Sequence, residues 1–198
     1  MAFPPEAVRI AGFTLRQISS AIRTQSPYSF AQTAYDFMGG TWAAELTLAA
    51  FDARESAAIS AWLAGLNGPA GRFELDMAAM DYAGPQGTIS ADPVVAVAAQ
   101  PRAQTLVLQL ATAADTITVG DYLTLDGHLH IVTGAEAPTA AFRQTLTLWP
   151  RLRAPVAPGD PVALRAPWGT WALAGPETVL SVSQARVRTR TVQLVEAL

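Results

Sequence analysis

Residues 51–75, FDARESAAISAWLAGLNGPAGRFEL, form the segment around which the rest of the fold is interpreted. Asp52 stands at the position of an N-cap, and Glu55 follows three residues later, the spacing of a capping box. Apolar residues then recur at helical spacing and form one stripe: Ile59, Trp62, Leu63 and Leu66. The Asn-Gly-Pro sequence at 67–69 is typical of a helix end. The segment predicts one principal helix over 52–66.

Alternating apolar residues predict β-strands on both sides of this helix. The expected strands before residue 88 are 8–18, 28–37, 41–51 and 71–77. Beyond it, short β segments alternate with turns, and Asp126-Gly127 predicts a two-residue hairpin. By their periodicity, Trp42 and Trp62 are expected in the core. The predicted fold class is mainly β, or α+β by virtue of the single helix.

Composition excludes several classes of protein. The chain has 198 residues, of which 51% are hydrophobic and 15% are charged, so it contains enough apolar side chain to form a core and is not a disordered sequence. Its net charge of -3 argues against general binding to duplex nucleic acid. The absence of cysteine excludes disulfides, zinc-thiolate sites and thiol catalysis.

Targeting and membrane signals are not expected. Residues 1–10 contain prolines and an acid where a signal peptide has a basic start and an apolar run. No apolar stretch approaches the ~20 residues that span a bilayer. The sequence therefore predicts synthesis in a cytoplasm and no membrane partner.

Two pairs of polar residues are candidates for chemistry. His128 and His130 alternate, so both rings point to one face of a strand, but a metal site needs a further ligand and none is evident nearby. Asp76 and Asp81 flank a small-residue loop, where paired carboxylates can perform acid/base work. We interpret the first pair as solvated rings and the second as turn-forming acids. We predict no catalytic, cofactor-binding or metal-binding residue, and no enzyme activity.

Three arginines, Arg186, Arg188 and Arg190, alternate along one predicted strand and face one way. In line, they suit a contact with another subunit or with a tail tube, a charged solvated strand edge, or phosphate binding. All three interpretations are kept open, with nucleic acid the least favoured.

Trp168 and Trp171 lie close to Pro167 and Gly169 in a predicted loop. Exposed indole rings stack on sugars, so these two residues are candidates for a surface aromatic contact.

Four segments carry a resemblance to a known family: GGTWAAELTL (39–48), residues 51–75, VGDYLTLDGHLHIV (119–132) and LTLWPRLRAPVAPGDPVAL (146–164). Together they resemble the distal tail proteins of long-tailed, siphovirus-type bacteriophages and gene transfer agents. The resemblance covers most of the chain and rests on patterns of Gly, Trp and Leu. It implies a β-sandwich belt domain with one helix, formed by 1–87 and 167–198. It also implies an inserted small β-barrel of the oligonucleotide/oligosaccharide-binding (OB) type, formed by 88–166.

The resemblance further implies a virion structural protein at the tail tip, made in the cytoplasm of a host bacterium. Its partners would be further copies of itself in a closed six-fold ring, the tail tube protein and the baseplate hub protein. DNA would pass through the ring lumen without sequence-specific recognition. Two other hypotheses are kept: a free carbohydrate-binding β-sandwich module and, less favoured, a tail-associated hydrolase.

Overall fold

A computed structural model describes residues 9–80, 82–176 and 188–198 of the chain. Within these residues the protein is mainly β, with a single α-helix, which confirms the predicted fold class. The strands form two five-stranded sheets and a separate two-stranded ribbon. Every pair of neighbouring strands is antiparallel.

The first five-stranded sheet, which we call the main sheet, has the order β1-β4-β12-β11-β5. Its strands are β1 (Arg9–Ser19), β4 (Gly40–Ala50), β5 (Arg72–Asp76), β11 (Trp168–Leu173) and β12 (Arg188–Glu196). The two-stranded ribbon is formed by β2 (Ile22–Gln25) and β3 (Gln32–Tyr35). The strands of the main sheet thus come from two stretches of sequence, residues 9–76 and 168–196. The strands of the second sheet lie between these two stretches in the sequence.

The second sheet has the order β6-β7-β10-β9-β8 and belongs to a small barrel. Its strands are β6 (Val94–Val95), β7 (Thr105–Gln109), β8 (Tyr122–Leu125), β9 (His128–Ala135) and β10 (Arg143–Trp149). Residues 156–164 then bridge both edge strands, because Pro161 pairs with Val94 and Ala163 pairs with Thr124. This segment closes the curled sheet, because each edge strand forms at least one β-bridge with it.

The two sheets follow different stretches of sequence. The barrel uses residues 94–164, and the main sheet uses strands on either side of that stretch. The division of the chain into one domain of 1–87 with 167–198 and a second of 88–166 stays a prediction.

The predicted helix is present as α1 (Ala53–Gly65), between an N-cap at Asp52 and a C-cap at Leu66. Oδ1 of Asp52 accepts a hydrogen bond from the backbone N–H of Glu55 at 2.7 Å. The Glu55 carboxylate reaches back one residue beyond the cap and accepts from the N–H of Phe51, also at 2.7 Å. The two bonds satisfy N–H groups at the helix start, which explains why the local sequence specifies this end.

Two apolar clusters form the interior. The main cluster lies between the main sheet, α1 and the outer wall of the barrel, and contains Trp42, Ala44, Leu46, Leu48, Ala50, Ile59, Trp62, Leu63, Leu66, Phe73, Leu75, Met77, Leu129, Trp171, Leu173, Val192 and Leu194. The barrel cluster contains Val95, Leu106, Leu108, Leu110, Ile117, Leu123, Leu125, Val132, Leu146, Leu148, Leu152, Val156, Val162 and Leu164. The core positions predicted for Trp42 and Trp62 are confirmed.

The predicted hairpin at Asp126-Gly127 is also confirmed, since both residues adopt positive φ angles, 51° and 78°, between β8 and β9. The prediction of one strand over 28–37 is wrong. Residues 27–29 form a turn and only Gln32–Tyr35 is strand, because the chain reverses direction near Pro27 and pairs β3 with β2.

Candidate functional site

The main sheet and the barrel meet at the buried carboxylate of Glu196. Its Oε2 atom accepts from Nη2 of Arg153 at 2.7 Å and from Oγ1 of Thr41 at 3.1 Å. The backbone N–H of Trp42 donates to the same oxygen at 3.3 Å, and Nδ1 of His128 donates to Oε1 at 3.2 Å. We call these five residues the junction cluster. Because Arg153 and His128 come from the barrel part of the chain, the cluster joins that part to the main sheet.

Burial and hydrogen bonding act against each other on Glu196, whose side chain is 2% exposed. Desolvation raises the pKa of the Glu196 carboxyl. The hydrogen bonds from His128 and Arg153, together with the charge of Arg153, lower this pKa by more than desolvation raises it. The pKa of Glu196 therefore lies below its ordinary value, and the group is ionised at neutral pH.

Aromatic packing reinforces the junction cluster. The indole Nε1 of Trp42 donates to the backbone carbonyl of Leu129 at 2.8 Å. The ring of Trp149 meets that of Trp42 edge to face, with centroids 4.6 Å apart. At Gly40 a Cβ atom would lie 2.9 Å from the Trp149 ring, so glycine allows the main sheet to approach the barrel here. A buried polar cluster and a tight aromatic contact thus hold the same interface.

His130 lies inside the structure, 1% exposed. Burial lowers its pKa to about 4, so the ring is neutral at pH 7, and Nδ1 donates to the carbonyl of Pro150 at 2.8 Å. The expectation of two solvated rings is wrong, because β9 is a central strand and places His130 on the same face as Val132 of the barrel core. His128 and His130 do share a face, as their alternation predicts, and both line a small cavity with Arg153.

Buried polar side chains in the barrel tie loops to strands. The Asp115 carboxylate accepts from the N–H and the hydroxyl of Ser90 at 3.0 and 2.8 Å. Asp121 accepts from the N–H groups of Gln86 and Thr118 at 2.6 and 2.8 Å. These acids satisfy backbone donors, which is a structural use of their charge.

The three predicted interface arginines are placed as follows. Arg186 lies outside the described residues, and of Arg188 only the backbone is described. The Arg190 side chain is buried, and its Nη2 donates to Oγ of Ser60 at 2.6 Å and to the carbonyl and hydroxyl of Ser56 at 3.3 Å. The expected open position of Arg190 is therefore corrected, because this face of β12 is covered by α1. A subunit or tube contact for Arg186 and Arg188 stays a prediction.

Trp168 and Trp171 occupy β11 and lie in no loop. Trp171 is 2% exposed and meets Phe13 edge to face, so its predicted surface position is wrong. The reason is the central place of β11, which is flanked by β12 and β5. Trp168 is half-buried and lines a shallow depression of about 300 Å³ together with Arg72 and His128.

The described loop acid Asp76 is exposed at the end of β5, whereas Asp81 falls outside the described residues. Within the described ranges, no group of three His, Cys, Asp or Glu side chains is placed to hold a metal ion.

An exposed apolar projection is the main feature that sequence reasoning missed. Residues 20–39, which we call the arm, leave the main sheet between β1 and β4 and contain the β2–β3 ribbon. The large apolar side chains that the arm exposes are Ile22, Tyr28, Phe30, Tyr35, Phe37 and Met38. Their aromatic content was visible in the sequence, but the alternation did not show that both faces of the ribbon lack a covering layer.

The root of the arm is fixed to the main sheet. The Ser20 N–H donates to the Gly39 carbonyl at 3.1 Å, and the Gly39 N–H donates to Oγ of Ser20 at 2.8 Å. The arm therefore continues the β1–β4 pair outward, beyond the Ser19–Gly40 end of that pair.

Comparison of the sequence with protein-family models and with curated proteins gives no match. Of the helices that the structure describes, none has the length and apolar character needed to cross a membrane.

Proposed function

We propose that this protein is a structural component of a bacteriophage or gene transfer agent particle, the distal tail ring that joins the tail tube to the baseplate hub at the tail tip. It acts by assembly, without catalysis. Its partners are other copies of itself, the tail tube protein and the hub protein.

The exposed arm is the observation that carries this proposal. Contiguous exposed apolar surface is uncommon on a protein that works alone, and it marks an interaction site. The arm projects from the end of the β1–β4 pair, where a neighbouring protein can reach both of its faces. A protein with an apolar projection that is uncovered in isolation is suited to a multi-subunit assembly.

The junction cluster supports the same proposal from inside the chain. Glu196 and Arg153 connect the main sheet to the barrel through a buried pair at 2.7 Å. Around them, Trp42, Leu129 and Trp149 add a hydrogen bond and a ring contact. A firmly connected two-part body suits a ring that transmits force between a tube and a hub.

The segments that carry the family resemblance also come together in space. GGTWAAELTL contributes β4, and VGDYLTLDGHLHIV contributes β8 and β9. They touch where Nε1 of Trp42 donates to Leu129, and where Trp42 lies 6.1 Å from the ring of Tyr122. The residues of the resemblance thus include those that build the interface between main sheet and barrel.

The proposal is tested on intact particles. An antibody raised against the purified protein is applied to tailed particles from a producing strain, and the label is located by electron microscopy. Quantitative mass spectrometry of the same particles counts copies per tail. We expect label at the tail tip and several copies per tail. Particles without the protein, or with one copy per tail, would contradict the proposal.

The carbohydrate-binding module remains the alternative, and Trp168 is the observation that favours it. Its half-buried indole lines the shallow depression beside Arg72 and His128, where a sugar ring can stack and accept hydrogen bonds. Binding of the monomeric protein to a glycan array, lost in Trp168→Ala and kept in Phe142→Ala, would favour this alternative over the ring.

A further inference from the structure

The arm lacks the packing that normally stabilises a β-ribbon. Two paired strands alone are marginal in water, and a third strand or a covering layer is needed for independent stability. Every residue of β2 and β3 is exposed in this chain. The arm therefore has unused capacity for packing on both faces and along both ribbon edges.

The turn at the end of the arm presents an aromatic ring at a conformational cost. Phe30 has a φ of 56°, in the left-handed region that bulky residues rarely adopt. Its N–H donates to the Ser26 carbonyl at 3.0 Å, and the Ser26 N–H donates to Ala31 at 2.9 Å, which fixes the turn. Glycine would suit this position better. Among the residues that the structure describes, no packing compensates for a phenylalanine there, since Phe30 is mostly exposed.

The exposed area on the arm matches what a stable protein contact needs. Tyr28, Phe30, Tyr35 and Phe37 are 95%, 71%, 56% and 65% exposed. At about 150–250 Å² for a fully covered ring, these four would remove on the order of 500 Å² from water. Ile22 and Met38 add to this, and a standard interface removes about 800 Å² from each partner.

Charge narrows the class of partner. The arm contains one arginine, Arg23, and one acid, Asp36, so its formal charge is balanced. An anionic membrane or a nucleic acid would call for a cationic surface around the aromatic rings. A neutral protein surface is the better match, and only 15% of the residues of this chain are charged. Within the described residues, β1 and β5 are the edge strands of the main sheet, so a second copy offers sheet edges against which a ribbon can pair.

We propose that the arm of one copy packs against the body of a second copy of this chain. The inference rests on the proposed ring and names the element that makes it. Because the arm and its acceptor are different surfaces, the contact is heterologous and continues from copy to copy until the ring closes.

Two substitutions at the arm tip test the proposal without disturbing the cores. Tyr28→Ser removes the most exposed ring, and Phe30→Gly removes a second ring while accepting the left-handed turn. Phe142→Gly is the matched control, since Phe142 also has a positive φ, 57°, and an exposed ring, but lies on the barrel. Sedimentation velocity from 1 to 100 μM measures the state of each purified protein, and circular dichroism checks its fold.

We expect the wild type and Phe142→Gly to form a species larger than a dimer. We expect Tyr28→Ser with Phe30→Gly to remain monomeric, or to need at least tenfold higher concentration to assemble. Assembly of the double variant at the wild-type concentration would overturn the proposal. So would a wild type that stays monomeric throughout or stops at a dimer.

A cross-link locates the acceptor. Because the sequence contains no cysteine, Tyr28→Cys carries the sole thiol and takes a single photo-crosslinker. In a mixture of isotopically labelled and unlabelled chains, we expect cross-links from the arm of one copy to the body of another. Cross-links confined to one chain, or running only from arm to arm, would overturn the proposal.

The outcomes separate this inference from the proposed function. If the protein assembles through its arm but is missing from particles, the tail function is contradicted and the arm contact is supported. If the protein is present at the tail tip in several copies, and the double variant is incorporated as well as the wild type, the tail function is supported and the arm contact is contradicted.

Discussion

The arm leaves aromatic rings in solvent, whereas the junction cluster places a carboxylate, a guanidinium and an imidazole where water is largely excluded. In the arm, apolar side chains lack partners within the described chain. At the junction, Glu196 accepts four hydrogen bonds from partners in both sheets. The contrast separates two tasks. The junction uses polar groups to hold one chain together, and we propose that the arm uses its apolar groups to bind another chain.

The largest expected effect on stability is at the aromatic side of the junction. Trp42→Ala removes a fully buried ring, its bond to Leu129 and its contact with Trp149. We expect a loss of about 3–5 kcal/mol in the free energy of unfolding. Urea unfolding at pH 7.5 measures it. A loss below about 1 kcal/mol would show that the Trp42 contacts contribute little to holding the two sheets together.

Acid should weaken the folded state through His130. The unfolded state takes up a proton below the ordinary pKa of 6.5, whereas the folded state resists protonation until about pH 4. Stability therefore falls as pH decreases through this window, by about 2 kcal/mol between pH 8 and pH 5. The lowered pKa of Glu196 acts in the same direction, with loss as pH falls through its folded value.

Unfolding curves at several pH values measure this dependence. Glu196, His128 and Arg153 are the charged or titratable groups that act on His130, so they remain unchanged in the comparison. His130→Gln keeps a side-chain donor for Pro150 but cannot titrate. We expect a shallower pH dependence between pH 6.5 and pH 4 in that variant, and an unchanged slope would show that His130 is not responsible.

Neutralising the junction carboxylate should have a moderate effect. Glu196→Gln keeps the shape of the side chain but leaves Arg153 without its counter-charge, so we expect a loss of about 2 kcal/mol. Glu136→Gln makes the same charge change on an exposed side chain and should change stability by less than about 0.5 kcal/mol. Equal effects in the two variants would mean that the buried pair adds no stability.

The smallest expected effect on stability is at the arm. Tyr28→Ser with Phe30→Gly should change the free energy of unfolding of the monomer by no more than about 1 kcal/mol, because neither ring is buried and glycine relieves the left-handed backbone. The same urea curves, recorded at a concentration where the protein is monomeric, measure this. A loss above about 3 kcal/mol would show that the arm packs against its own chain. The arm would then stabilise the monomer, as the junction does.

Features with a local cause could be predicted from the sequence. The helix start depends on Asp52 and Glu55, three residues apart, and the β8–β9 turn depends on two adjacent residues, Asp126 and Gly127. In both cases the residues that specify the structure are also the residues that form it. Such features need no knowledge of which strands become neighbours.

Features with a distant cause could not be predicted. Alternation predicted that Arg190 projects from one face of a strand, but it could not show that α1 covers that face. Glu196 was not singled out, because its partners Arg153 and Trp42 lie 43 and 154 positions away in sequence. The expected exposure of Trp171 failed for the same reason, since only the order of strands in the sheet makes β11 central.

The position of β12 in the main sheet has a consequence for the order of folding. β12 follows every other described strand in the sequence, yet it lies between β4 and β11. The barrel strands occupy a continuous stretch, 94–164, and leave the ribosome before β12 does. The barrel can therefore close while the main sheet still lacks a central strand. Thr47 and Thr191 are neighbours in the finished sheet but are separated by 144 positions in the sequence. A barrel that has already closed shortens the flexible part of the chain between them, and so lowers the entropy cost of bringing them together.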